Sequence, residues 1–160
     1  MVFVTTPGLA AGEPHAWLDR MAEAVEILNY QGTLVYMRPG KAETFRVFHR
    51  VVDGVATERL VAMDGDGAEI IRTPAEVMCI FPALQKVVVD KRGGKAAGQN
   101  PLSAKLPEYS SSMDAHYQLR LEPDVRLLGR SALVISIKPK DGFRYEHRIW
   151  LDEQTAMPLK

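Results

Sequence analysis

SALVISIKPKDGFRYEHRIWLD, residues Ser131 to Asp152, reads as two strands joined at Pro139-Lys140-Asp141-Gly142. On the first arm Leu133, Ile135 and Ile137 alternate with Val134, Ser136 and Lys138. On the second, Tyr145, His147, Ile149 and Leu151 alternate with Glu146, Arg148, Trp150 and Asp152. Period two marks a strand. One apolar side and one polar side is the habit of antiparallel sheets, which cover a core on one face and meet water on the other; buried parallel strands are apolar throughout. Pro, Asp and Gly in the joining segment supply turn chemistry. The stretch therefore predicts a long hairpin that anchors an antiparallel sheet.

Working outward, the same rhythm recurs upstream. Thr33 to Met37 ends at Pro39-Gly40, placed as a type II turn wants them, and Thr44 to Val52 ends at Asp53-Gly54, a two-residue hairpin signal. Val55 to Met63, Ala68 to Arg72, Glu76 to Phe81 and Gln85 to Asp90 follow, each closed by turn residues. Strands in succession with no helix between them predict an up-and-down meander and exclude a βαβ fold. Further strands are expected over His116 to Leu121, Val125 to Leu128 and Met157 to Lys160, the last of which looks like a strand cut short, as in one domain of a longer chain. Ahead of the meander Glu13-Pro14 opens a helix. Its apolar stripe is Trp17, Met21, Ala24, Val25 and Leu28, with Leu18 beside it, and the stripe is expected to lie on the sheet. Lys91 to Pro101, KRGGKAAGQNP, offers almost nothing to pack and predicts a mobile loop; Leu102 to Ser112 has weak helical character. The fold class is thus mainly β (α+β): a curved antiparallel sheet of about ten strands, with the N-terminal helix and the short helical insertion on its concave side.

With 160 residues the chain suits a single domain, and 46% hydrophobic with 25% charged residues excludes global disorder. The formal net charge is zero, so there is no global electrostatic reason to bind nucleic acid or an acidic membrane, and any such partner needs a local patch. No apolar run is long enough for a transmembrane helix. The lone cysteine, Cys79, sits in the apolar run Val77 to Phe81 and reads as a buried, inert thiol. Residues 1–13 contain the small-x-small pattern Gly8-Leu9-Ala10 without a basic n-region, and read as the residual tail of a secretion signal or as residues foreign to the domain, which then spans 14–160.

Chemistry is sparse. His15, His49, His116 and His147 share no metal-binding spacing, Ser110 to Ser112 lack a nucleophile elbow, and Glu146 and Arg148 suit solvated cross-strand partners better than an acid/base pair. No catalytic residue, metal ligand or cofactor is assigned. Excess apolar surface instead favours binding. Phe45, Val47, His49 and Val51 share one side of a strand, and Val77, Cys79 and Phe81 one side of another. The candidate lipid- or peptide-binding residues are Phe45, Val47, Val77, Cys79, Phe81, Leu133, Ile135 and Ile137, with Arg92 and Lys95 in the basic loop as headgroup contacts. The competing expectation is that the helix and the 102–112 segment fill the concavity completely.

Two groups of segments resemble a known family. Trp17-Leu18-Asp19-Arg20-Met21, Leu28 to Tyr36, Phe48-His49-Arg50 and Glu58-Arg59-Leu60-Val61 look like the opening of the MucB/RseB family. Leu128-Gly129-Arg130, Lys138 to Asp141, Arg144-Tyr145 and Trp150-Leu151-Asp152 look like the later part of the same domain. The resemblance implies a secreted periplasmic protein whose N-terminal domain is an unclosed antiparallel β-barrel like the carriers LolA and LolB. It implies no enzyme, but a regulator that binds the periplasmic part of a transmembrane anti-sigma factor, shields it from proteolysis and so represses an envelope-stress sigma factor of the type controlling alginate production. Lipid or lipopolysaccharide is expected to relieve that hold. Family members also carry a smaller C-terminal domain, absent from these 160 residues. No nucleic-acid partner is expected, and a homodimer is left open. The rival function is a periplasmic lipid or lipoprotein carrier.

Overall fold

The computed structural model describes residues 13–91 and 112–160. The N-terminal tail up to residue 12, the basic loop with Arg92 and Lys95, and nearly all of the 102–112 segment lie outside the described residues. The rest divides into two compact units: 13–24 with 112–160, and 25–91.

The second unit is the meander. Strands β1 (Tyr30–Arg38), β2 (Lys41–Val52), β3 (Val55–Ala62), β4 (Glu69–Arg72), β5 (Val77–Phe81) and β6 (Lys86–Asp90) pair antiparallel in sequence order. The sheet is open, with β1 and β6 at its edges. Its turns obey local chemistry. Asp53 and Gly54 both take positive φ, 51° and 75°, between the paired residues Val52 and Val55. That is the backbone whose twist suits a two-residue hairpin, which an Asp-Gly pair adopts at little cost. A single 3-10 turn, Pro82–Leu84, joins β5 to β6.

The first unit holds most of the helix α1 (Pro14–Ile27), the one-turn α2 (Met113–His116), and a sheet of β7 (Tyr117–Leu127), β8 (Arg130–Pro139) and β9 (His147–Asp152) in the order β7-β8-β9. Four expectations need correction here. The stretches 116–121 and 125–128 are one strand: Pro123, which has no N–H to give, falls in a register shift between Glu122 and Val125, and a bulge carries β7 past it. The strand total among the described residues is therefore nine, in two sheets, rather than about ten in one. The anchoring hairpin exists, but its last cross-strand pair is Ile137 with His147, so Tyr145 and Glu146 belong to a long connection and not to β9. Finally, β8 does not alternate between core and water: Ala132 to Ile137 are all buried, Val134 and Ser136 included, because β8 is the central strand and both of its faces are covered.

The helix buries Leu18, Met21, Ala24 and Val25. Its stripe is centred one residue later than the pattern suggested; Trp17 is only half-buried and carries the Arg20 guanidinium 4.0 Å above its ring. Met157 to Lys160, expected as a further strand, form none: they run back beside β9 through an isolated bridge between Leu151 and Pro158. Trp150 N–H donates to the Lys160 carbonyl and Leu159 N–H to the Trp150 carbonyl, at 2.9 and 2.7 Å. The reversal is fixed by Asp152, whose Oδ1 accepts from Gln154 N, Thr155 N and the Thr155 hydroxyl while Oδ2 accepts from Arg130. Burial works to raise the Asp152 pKa, but these donors outweigh it and hold the carboxyl below its ordinary range.

Candidate binding face

Residues directly opposite in an antiparallel pair lie on the same face of the sheet. The register therefore builds the site strand by strand. Val47 opposes Leu60, Leu60 opposes Ile70, Ile70 opposes Cys79 and Cys79 opposes Val88, so one apolar row crosses β2 to β6. Phe45 pairs with Ala62 beside it, and Val77 and Phe81 flank Cys79 on the same side of β5. Five of the sequence-derived candidates, Phe45, Val47, Val77, Cys79 and Phe81, are thus brought onto one face of the six-stranded sheet. Leu133, Ile135 and Ile137 belong to β8 in the other unit, where they are buried.

Burial along the row is graded. Val47 and Leu60 are buried, Phe45, Ile70, Val77, Cys79 and Phe81 are half-buried, and Val88 on the edge strand is 42% exposed. Cys79 is accordingly less enclosed than its apolar neighbours in sequence suggested. The face is closed at β2 and β3 and open toward β6.

A second row on the same face is polar, and sequence reasoning did not single it out. Tyr30 opposes His49, His49 opposes Glu58, and Glu58 opposes Arg72. The Tyr30 and His49 rings stack at 4.7 Å. His49 lies 2.9 Å from the Leu28 carbonyl through Nδ1, and since a carbonyl only accepts, Nδ1 carries the proton. Glu58 is 4% exposed, and neither carboxyl oxygen has a hydrogen-bond partner among the described residues. Burial pushes its pKa up to about 7, against the pull of the Arg72 guanidinium. A signal was available, since Glu58 has the same strand parity as Leu60 and Ala62, but one acid beside Arg59 reads as a solvated pair. The true partner of Arg59 is Glu69 on β4, gripped through Nε and Nη2 on the opposite face.

On the other sheet Glu146 and Arg148 are not paired with each other: Lys138 lies 3.9 Å from Glu146, and Arg148 pairs with Glu122 on β7. Among the described residues no three His, Cys, Asp or Glu side chains gather as a metal site would need, and no helix is long and apolar enough to cross a membrane.

Fold and face together define a mainly β chain of open antiparallel sheets, the larger of which carries a graded apolar row across one face. Residues 13–160 match the MucB/RseB N-terminal domain, and the chain belongs to that family. It is 34% identical over 158 residues to the sigma factor AlgU regulatory protein MucB of Pseudomonas aeruginosa, covering 98% of this chain and 47% of MucB. It is 32% identical to the sigma-E factor regulatory protein RseB of Haemophilus influenzae, covering 89% of this chain and 44% of RseB. The chain thus spans a little under half the length of these relatives. Among solved structures it is similar to MucB in complex with MucA(peri), with a TM-score of 0.69 and 33% identity over 92% of this chain and 47% of that one. A structure of the Pseudomonas aeruginosa MucA/MucB complex gives 0.67 and 34%, over 91% and 49%.

Proposed function

We propose that this chain is the N-terminal domain of a periplasmic regulator that binds the periplasmic region of a transmembrane anti-sigma factor, protects it from regulated proteolysis, and so represses an envelope-stress sigma factor. The observation that carries this reading is the similarity, over 92% of the chain, to MucB in its complex with MucA(peri). The domain forms an unclosed half-barrel of the LolA/LolB type, the natural protein adds a smaller C-terminal domain, and no catalysis is involved. Phe45, Val47, Val77, Cys79 and Phe81 form the face that takes a lipid acyl chain or an apolar stretch of peptide. Lipid or lipopolysaccharide relieves repression by binding preferentially to the state that releases the anti-sigma segment, since a ligand indifferent to the two states shifts nothing.

The test is a digestion. The periplasmic segment of the anti-sigma factor is exposed to its processing protease alone, with the protein, and with the protein plus lipid A fragments. Protection that lipid removes supports the regulator; cleavage at the same rate in all three mixtures rules it out. A lipid or lipoprotein carrier is the second reading, favoured by the grading of the apolar face from closed to open. A carrier copurifies with acyl chains and passes them between vesicles, whereas a regulator leaves the anti-sigma segment intact.

A further inference from the structure

The six-stranded sheet ends at β6, Lys86-Val87-Val88-Val89-Asp90, and among the described residues no strand pairs with its outer side. Every residue of β6 is exposed, its three valines at 55%, 42% and 44%. An edge strand presents a row of unpaired N–H and C=O groups on which another strand can be built. Proteins ordinarily blunt such an edge with a proline, a bulge, a charge or a covering segment. The smaller sheet does so on both sides: β7 is bulged at Pro123, and residues 157–160 run beside β9. The middle of β6 has none of these devices. It pairs with β5 over five consecutive residues without a register shift, and its centre is three β-branched apolar side chains.

Exposure leaves the occupant open; the order of residues along the strand identifies it. Turned antiparallel on a second copy about Val88, β6 is complementary to itself. Val88 meets Val88 of the copy, Val87 meets Val89, and Lys86 meets Asp90 at both ends, which sets two opposite-charge pairs around an apolar centre. None of the described ion pairs engages Lys86. Asp90 is engaged within its own chain, and a carboxylate, which accepts at about four sites, keeps room for a second donor. The other edge of the same sheet offers no such match: β1 paired with itself about Leu34 sets Tyr30 against Arg38 and Gly32 against Tyr36.

A two-fold axis through Val88, perpendicular to the sheet, keeps the equivalent faces of both copies on one side. The apolar row of Val47, Leu60, Ile70, Cys79 and Val88 then continues without a break into Val88 and Cys79 of the second copy. This accounts for a row that stays apolar up to the last strand, where a face ending in water would turn polar.

We infer that β6 is a homodimerisation edge, through which two copies of this chain pair antiparallel over Lys86–Asp90 and join their six-stranded sheets into one continuous sheet. Five residues a side make a small contact, at the low end of specific interfaces, so the dimer forms as concentration rises. It needs neither lipid nor anti-sigma segment and stands apart from the regulator reading.

The test is sedimentation equilibrium of the full 160-residue chain over a dilution series. The wild type is expected to pass from monomer to dimer as concentration rises. Val88→Lys, which sets two like charges against each other at the axis, should raise the dissociation constant roughly tenfold or more. Lys86→Asp should weaken the dimer roughly tenfold through two carboxylate–carboxylate contacts, and the double variant Lys86→Asp/Asp90→Lys should return it to within about threefold of the wild type. That recovery is specific to the register, and a folding defect cannot produce it. As a second measurement, Val88→Cys in a Cys79→Ser background should form an intermolecular disulfide under mild oxidation, because directly opposed β-carbons lie about 4.5–5.5 Å apart, a small shift from disulfide geometry. A wild type that stays monomeric at every concentration, a dimer untouched by Val88→Lys, a double variant no tighter than Lys86→Asp, or absence of the disulfide overturns the proposal. An extended peptide that adds to β6 of a monomeric wild type assigns the edge to another partner and overturns it equally.

Discussion

Replacing Glu58 by Gln is expected to flatten the pH dependence of stability and to make the protein more stable than the wild type at pH 8. The carboxyl is 4% exposed, without a hydrogen-bond partner among the described residues, and pushed from 4.5 to about 7. Its pKa is higher in the folded state than in the unfolded one, so between those values the folded state binds more protons. Stability then falls as pH rises. The loss begins near pH 4.5, is complete a little above pH 7, and amounts to about 3 kcal/mol. This is opposite in sign to Asp152, whose lowered pKa contributes stability above its ordinary value that is lost on acidification. The difference between wild type and variant isolates the contribution of Glu58. Urea unfolding at pH 5, 6, 7 and 8 is the measurement. Glu58→Met, which replaces a buried charge by an apolar chain of similar length, should behave like the Gln variant. Parallel pH profiles for wild type and both variants would mean that Glu58 is solvated in the folded protein.

Ile135→Ala is expected to destabilise the protein by about 3 kcal/mol, within the roughly 2–5 kcal/mol that large-to-small changes cost in cores. Ile135 is fully buried on the central strand β8, between Leu121 on β7 and Ile149 on β9. Removing its outer carbons leaves a cavity that neither neighbouring strand can close without breaking its own pairing. Ile135 is also one of the candidate guest-contacting residues, which makes the substitution decisive about its role. A core residue loses stability whether or not a guest is present, read as a lower urea midpoint with an unchanged slope. A residue that serves only to contact a guest would leave the midpoint where it was.

What the sequence disclosed follows from how local the causes were. The meander was legible because each strand ends in its own turn chemistry: Asp53-Gly54 sets its hairpin from two residues, with no help from the rest of the chain. That Phe45, Val47, Val77, Cys79 and Phe81 share a face required only strand parity plus sheet order, and the order of a meander is the order of the sequence. Burial was less readable, because it depends on what covers a face. Val134 and Ser136 look like the outward residues of an amphipathic strand and are buried. Glu58 was overlooked for the same reason, its neighbour Arg59 offering a surface pair that the structure gives to Glu69 instead. The connection at Tyr145 and Glu146 was hidden by continuing the alternation of β9 two residues too far; the ties from Asp141 and Lys140 that make a loop there come from side chains, which period-two patterns do not register.

The most direct test is a calorimetric titration of the protein with the periplasmic segment of the membrane-spanning anti-sigma factor from the same organism. A domain built to hold that segment gives a saturable, stoichiometric isotherm, with the negative heat-capacity change that accompanies burial of apolar surface. Absence of binding heat at several temperatures, together with no shift in melting temperature at a large excess of the segment, would contradict the assignment of this domain as a site of anti-sigma-factor recognition.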